Sequence, residues 1–251
     1  MDMRSSQENI SFEELDRDGA IAETASKVDG STRRAFLQKV AVFTGTGAAM
    51  GALGMLGGAA SGRTASGSSS GDIDILNYAL ALEYLESSFY NEANSRAGLS
   101  GELKTFGTTV AQHENAHVAG LKKALGSSAI AEPKFNFQGT TASSSKFAPT
   151  SFALENEGTK AYLGQAANIS NPQYLVVAGQ ILVVEARHSA WIGDILYQQS
   201  GDAKYLPAPE SFQSYASMQE VLGVVNSLHF TAPLSPSAIQ SAIPGEPGMT
   251  G

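Results

Sequence analysis

The chain has no cysteine. That excludes disulfide frameworks, thiolate-bound zinc, iron–sulfur clusters and a thiol nucleophile. Histidine is scarce as well: His113, His117, His188 and His229 are the whole supply. A metal site would therefore have to be built from few imidazoles and many carboxylates. Positive charge is in deficit, with 16 Lys and Arg against 24 Asp and Glu and a net charge of −8, and no basic stripe; this argues against nucleic acid as a partner. What is present suffices for one or two domains with a real core, since 42% of the 251 residues are hydrophobic.

The first quarter reads as an export signal. Thr32-Arg33-Arg34-Ala35-Phe36-Leu37 precedes a weakly apolar, Gly/Ala-rich run from Val40 to Ala60. Paired arginines, Phe-Leu and a mild apolar region resemble a twin-arginine signal. The glycines make that run a poor lipid-spanning helix, so no stable membrane insertion is expected once the signal is removed. Residues 1–66 are read as an acidic segment plus signal, and 67–72 as a Ser/Gly linker. Cleavage near Ala60 would leave 10 basic and 16 acidic residues, a net charge of −6. The expected location is the periplasm, the cell envelope or the extracellular space.

From Asp72 the apolar residues recur at helical spacing to about Asn94. A second helix is predicted from Ser100 to Gly126 and a third from about Ser151 to Ala167. A fourth opens at Asn171-Pro172, an N-cap with proline at the first helical position, and closes at Gly201. Short links join the first and last pairs, and a long stretch, Ser127–Thr150, lies between them. The pattern predicts an all-α fold over 73–201: a four-helix bundle of two antiparallel hairpins joined by a long crossover. Residues 202–251 form a C-terminal extension with one shorter helix, about Ser217–Leu228.

The two halves repeat. Glu83 is followed seven residues later by Tyr90 and then by Glu114-x-x-His117. Glu155 is followed seven residues later by Tyr162 and then by Glu185-x-x-His188. Positions i and i+3 share a helix face, so each Glu-x-x-His pair can point into a bundle. One Glu from each of two helices with Glu-x-x-His from the other two is the ligand arrangement of di-iron and di-manganese bundles. Four carboxylates would balance two divalent ions in a low-dielectric core, and without metal they would repel one another. Glu114 and Glu185 are read as bridging ligands, and Glu83, Glu155, His117 and His188 as terminal ones. Tyr90 and Tyr162, two turns from a ligand Glu, are read as packing residues that touch a ligand carboxylate, with electron donation as the alternative.

These segments carry a family resemblance: "LALEYLESSFYNEA" (Leu80–Ala93), "QHENAHVAGL" (Gln112–Leu121), "ALENEGTKAYLG" (Ala153–Gly164) and "VEARHSAW" (Val184–Trp191). The chain resembles the ferritin-like superfamily, and within it the exported branch related to desiccation-associated proteins. The resemblance implies two iron ions, or manganese, held by the six residues named above. It also implies O₂ or H₂O₂ as small-molecule oxidant, in Fe(II) oxidation or peroxide removal. A non-catalytic metal-binding or desiccation-protective protein is the alternative, and a homodimer is left open.

His113-Glu114-Asn115-Ala116-His117 also fits H-E-x-x-H, the zinc-protease pattern. Lys123 occupies the place where the three-histidine version needs its third ligand, and the repeat has Val184 in the place of His113. The protease reading is therefore minor, and His113 is expected outside the ligand set. Glu86, one turn from Glu83, could reach the edge of the site. Glu157 is expected in solvent, Trp191 in the core, and His229 in a structural role.

Overall fold

The computed structural model describes residues 70–244. The twin-arginine motif, the apolar run and the Ser/Gly linker fall before Ser70, apart from the linker's last residues, and so lie outside the described residues. Four long helices dominate: α1 (Ser70–Arg96), α2 (Gly101–Leu125), α3 (Ser144–Gln165) and α4 (Pro172–Ser200). Two short ones follow, α5 (Met218–Ser227) and α6 (Pro236–Ser241), and there is no strand among the described residues. The fold is an all-helical four-helix bundle. α1 packs chiefly on α2 and α3 on α4, and contacts between α2 and α4 and between α1 and α3 close the ring.

The helix ends follow local chemistry. Asn171 accepts a hydrogen bond from the Gln173 amide, Pro172 takes the first helical position, and Gly201 ends α4 in the left-handed region at φ 68°. Ser217 and Glu220 form a reciprocal capping box on α5. Asp72 fixes α1 to the start of α4, its two carboxylate oxygens accepting from the amides of Ser170 and Asn171 at 2.8 Å each. A carboxylate at a helix N-terminus meets both orphan amides and the positive end of the dipole.

α1 differs from an ordinary surface helix. Every residue from Leu76 to Ser87 is buried, because the bundle covers one side and the crossover and the described part of the C-terminal extension lie over the other. Asn77 anchors that cover, accepting from the Ile130 amide and donating to the carbonyls of Ile73 and Ser128. Phe137 meets Phe89 edge-on at 5.4 Å and Phe230 at 5.3 Å, joining crossover and C-terminal extension over α1.

α3 begins seven residues earlier than the sequence predicts, and the crossover is correspondingly shorter. Ser143 precedes the helix and Pro149 lies inside it, so the run "TASSSKFAPT" reads locally as a loop. Burial decides otherwise. Phe147 is fully buried and stacks on Phe89 at 5.5 Å, with Tyr90 and Phe106 against its edge or tilted beside it. Removing roughly 1.5–3 kcal/mol worth of apolar side chain from water offsets one backbone hydrogen bond lost at proline. α6 was not foreseen either. It is short, but Ser235 caps it, Pro236 opens it, and Ile239 is buried.

By length and mean hydropathy alone, 1.2 over its best window, α4 is apolar enough to cross a membrane. Its inward face nonetheless carries Glu185 and His188 midway along its length.

One close approach generates a prediction. A Cβ on Gly164 would lie 1.9 Å from the carbonyl oxygen of Ala216, a backbone atom that cannot swing aside. Gly164→Ala is expected to push the 202–217 segment off α3 and cost about 1–3 kcal/mol, read as a lowered Tm. An unchanged Tm would show that this segment does not pack on α3.

Candidate metal centre

Helical spacing brings the acids together. Glu83, Glu86 and Tyr90 lie three and four residues apart along one face of α1, as do Glu155 and Thr159 with Tyr162 on α3. Glu114 and His117 face inward from α2, Glu185 and His188 from α4. Glu114, Glu155 and Glu185 have no exposed surface; Glu83 and His188 keep 2%. Ligand atoms of Glu83, Glu114, His117 and Glu185 lie within 4.8 Å of one another, and so do those of Glu114, Glu155, Glu185 and His188. The two groups share Glu114 and Glu185.

Both imidazoles turn Nδ1 into the site. That atom of His117 lies 3.0 Å from Glu114, 3.2 Å from Glu83 and 3.2 Å from Glu185. In His188 it lies 3.1 Å from Glu155 and 3.2 Å from Glu114. The tyrosines cross between the halves: Tyr90 donates to Glu155, and Tyr162 donates to Glu83 at 2.5 Å. Burial, then the facing carboxylate, holds both phenols well above their ordinary pKa, so they remain O–H donors.

The electrostatics are those of a site short of positive charge. Among the described residues no lysine or arginine pairs with these acids; Arg187 is exposed, and Glu157 takes Lys160 at 2.7 Å on the outside. Burial first, and then the charges of neighbouring acids, pushes Glu86, Glu114 and Glu185 well above the usual carboxylate range. Burial also pushes Glu83 up, but the hydrogen bond and charge of His117 outweigh it and bring it below. Burial lowers His117, yet its contacts with Glu185 and Glu83 prevail and raise it to about 10. Neither oxygen of Glu185 accepts a hydrogen bond, and Oε1 of Glu114 accepts none, although His117 and His188 approach within ion-pair distance. Buried acceptors without donors, inward-turned imidazole nitrogens and an excess of carboxylates fit a pair of divalent cations.

A sequence profile of the ferritin-like domain matches residues 71–198. The chain belongs to the ferritin-like domain family. No curated protein matches it. The match spans α1 to α4 nearly end to end, so the family assignment and the buried Glu/His cluster concern the same part of this ferritin-like chain.

All six side chains expected as ligands lie in the two groups, and the two tyrosines touch them. His113 does not join either group. Its Nδ1 meets Nε2 of His188 at 2.8 Å, and the rings stack at 5.1 Å between centroids. The zinc-protease reading needs His113 and His117 on one ion, whereas His117 is directed at Glu83, Glu114 and Glu185. Glu86 is the residue that sequence reading undervalued: it is buried against the cluster, and its signal was the three-residue step from Glu83. Trp191 is half-buried, edge-on to Phe106, with its indole N–H donated to Glu102. His229 is exposed at φ 56°, its ring against the Ser227 carbonyl.

The protonation pattern fixes the sign of a pH dependence. Unfolded, Glu86, Glu114 and Glu185 titrate near 4.5 and His117 near 6.5; folded, all four hold their protons to higher pH. Above pH 4.5 the folded state therefore binds more protons than the unfolded state, and stability falls as pH rises. Glu83, held below its unfolded value of 4.5, and His113, held below 6.5 by burial and then by His188 and His117, act in the opposite sense but are outnumbered by the four raised groups. The Tm of metal-free protein is expected to fall steadily from about pH 5 to about pH 9, and saturating divalent metal to flatten that slope. A Tm that climbs across this interval without metal contradicts the assignment.

Proposed function

We propose that this protein is an exported ferritin-like metalloprotein holding two divalent transition-metal ions, iron or alternatively manganese, and that it oxidises Fe(II) with O₂ or removes H₂O₂ in stress defence. The ligands in this reading are Glu83, Glu114, His117, Glu155, Glu185 and His188, with Glu114 and Glu185 shared. The observation that carries it is the pair of ligand groups meeting at those two carboxylates. A bound metal pair supplies one-electron steps to a small oxidant.

The chain's own residues provide the rest. Four helices fix the carboxylates before any ion arrives, which lowers the cost of ordering them. Tyr90 and Tyr162 each hold a terminal carboxylate in one orientation through an O–H bond. The burial of Glu114, Glu155 and Glu185 excludes a polymer substrate and favours molecules the size of O₂ or peroxide. Removing a peroxide by reduction takes two electrons and two protons per molecule and yields two waters.

Export by the twin-arginine route belongs to the same proposal, because that route carries folded proteins and suits a cofactor inserted inside the cell. It rests on Arg33-Arg34 and the apolar run that follows.

The test is elemental analysis of the full chain purified natively from its export destination, with Fe(II)/O₂ and H₂O₂ turnover measured on the same sample. About two iron or manganese ions per chain, with turnover, is the expected result. Glu185→Ala, which removes a shared ligand, is expected to lose most of the metal at both positions. Metal without turnover would point to a binding or protective protein, and a natively metal-free chain would end the proposal.

A further inference from the structure

A small cavity lies inside the bundle, between the buried acids and the end where Asp72 joins α1 to α4. All four long helices wall it, and its volume of about 20 Å³ leaves room for one very small molecule. Its inner end touches the site already described. Leu82 adjoins Glu83 in the chain, and Leu121 lies one turn beyond His117. Tyr162 stands in the cavity wall and donates its O–H to Glu83 at 2.5 Å, so cavity and acids share that side chain as a partition. At the outer end Ile75 and Tyr174 are only half-buried, whereas Leu82 and Leu121 are covered.

The lining decides what can enter. Ile, Leu and Ala side chains make up most of it. The Tyr162 and Tyr174 hydroxyls are committed to Glu83 and to the Ala124 carbonyl, and Oε1 of Gln165 accepts from Asn168. The Tyr78 hydroxyl is left buried with no partner. One orphan hydroxyl among hydrocarbon is too little for a water, which needs two to four polar partners; cavities of this kind stay dry and take up apolar gases. Hydrogen peroxide is turned away for the same reason, since it brings two donors and two acceptors that would go unmet.

We propose that this cavity binds dioxygen, entering past Ile75 and Tyr174, and holds it beside the acids, so that O₂ and not H₂O₂ is the oxidant the protein is built to take. The purpose of the site rests on the metal-centre reading above; the binding itself needs no metal. Ala79, Ala161 and Ala178 keep the space open, because a larger side chain at any of them would occupy it.

The test is nuclear magnetic resonance of metal-free full-length protein under a few bar of O₂, whose unpaired electrons relax nearby nuclei, with N₂ at equal pressure as the control. Relaxation at the methyl groups of Leu82, Leu121, Ala161 and Ile169 is expected to be enhanced severalfold more than at Leu222 and Val225, which are equally buried on α5. Ala79→Val and Ala178→Val, on two different helices, are expected to abolish the excess at Leu82 and Leu121, while unshifted Leu222 and Val225 signals show that the variants have folded. In metal-loaded protein both variants should raise the KM for O₂ in Fe(II) oxidation severalfold and leave kcat unchanged. Enhancement no greater than at Leu222 and Val225 overturns the inference, even if the variants fail to fold, and so does an excess that survives both substitutions. Metal and turnover without that excess end this inference alone. A natively metal-free chain that shows the excess ends the metal reading and the assignment of O₂ as oxidant, and leaves a gas-binding cavity.

Discussion

Everything in this molecule is arranged around the burial of five carboxylates at the middle of one bundle. Burying even one ionised acid without a partner is costly, and burying five without lysine or arginine would unfold most small domains. Burial and the neighbouring acids push Glu86, Glu114 and Glu185 toward holding their protons, and the facing carboxylates push His117 toward its charged form. That is a holding arrangement. In the proposed metalloprotein, ions would take the place of those protons, which would link metal binding to pH and to folding.

The surroundings are built to keep the acids in place despite their repulsion. Leu76 to Ser87 of α1 are buried without interruption, so Glu83 and Glu86 cannot swing out to water. Phe89, Phe106 and Phe147 pack at one end of the site, and Asp72 and Asn77 fasten α1 to the start of α4 and to the crossover. Rigid packing of this kind turns a repulsive cluster into a preorganised one. The enclosure also bears on chemistry, since what reaches Glu114 and Glu185 must be small.

Much of this was legible in the sequence, for a physical reason. Glu-x-x-His at Glu114–His117 and Glu185–His188 is a local spacing on a helix, and helical geometry converts it directly into a shared face. Asn171-Pro172 and Gly201 mark the ends of α4 through equally local chemistry. What stayed hidden depends on contacts distant in the chain. Phe147 pulls Ser144–Thr150 into α3 because Phe89 and Phe106 await it, which no reading of "TASSSKFAPT" contains. Glu86 reads as an edge residue in the sequence, and its burial comes from helices distant in the chain. His113 looked surplus because its partner, His188, lies on another helix.

The crossed phenols carry a further consequence. Tyr90 serves the carboxylate of the second hairpin and Tyr162 that of the first. A chain that arose by doubling one hairpin would at first have had two interchangeable copies, each able to pair with a twin. The crossing makes each copy the other's complement, so that neither is a finished unit by itself. Once Glu86 and His113 had settled in one copy, and Gly158 and Val184 in the other, the copies could no longer trade places. Two identical hairpins from separate chains would then build a poorer site than one chain carrying both, which gives a physical reason for keeping the halves covalently joined.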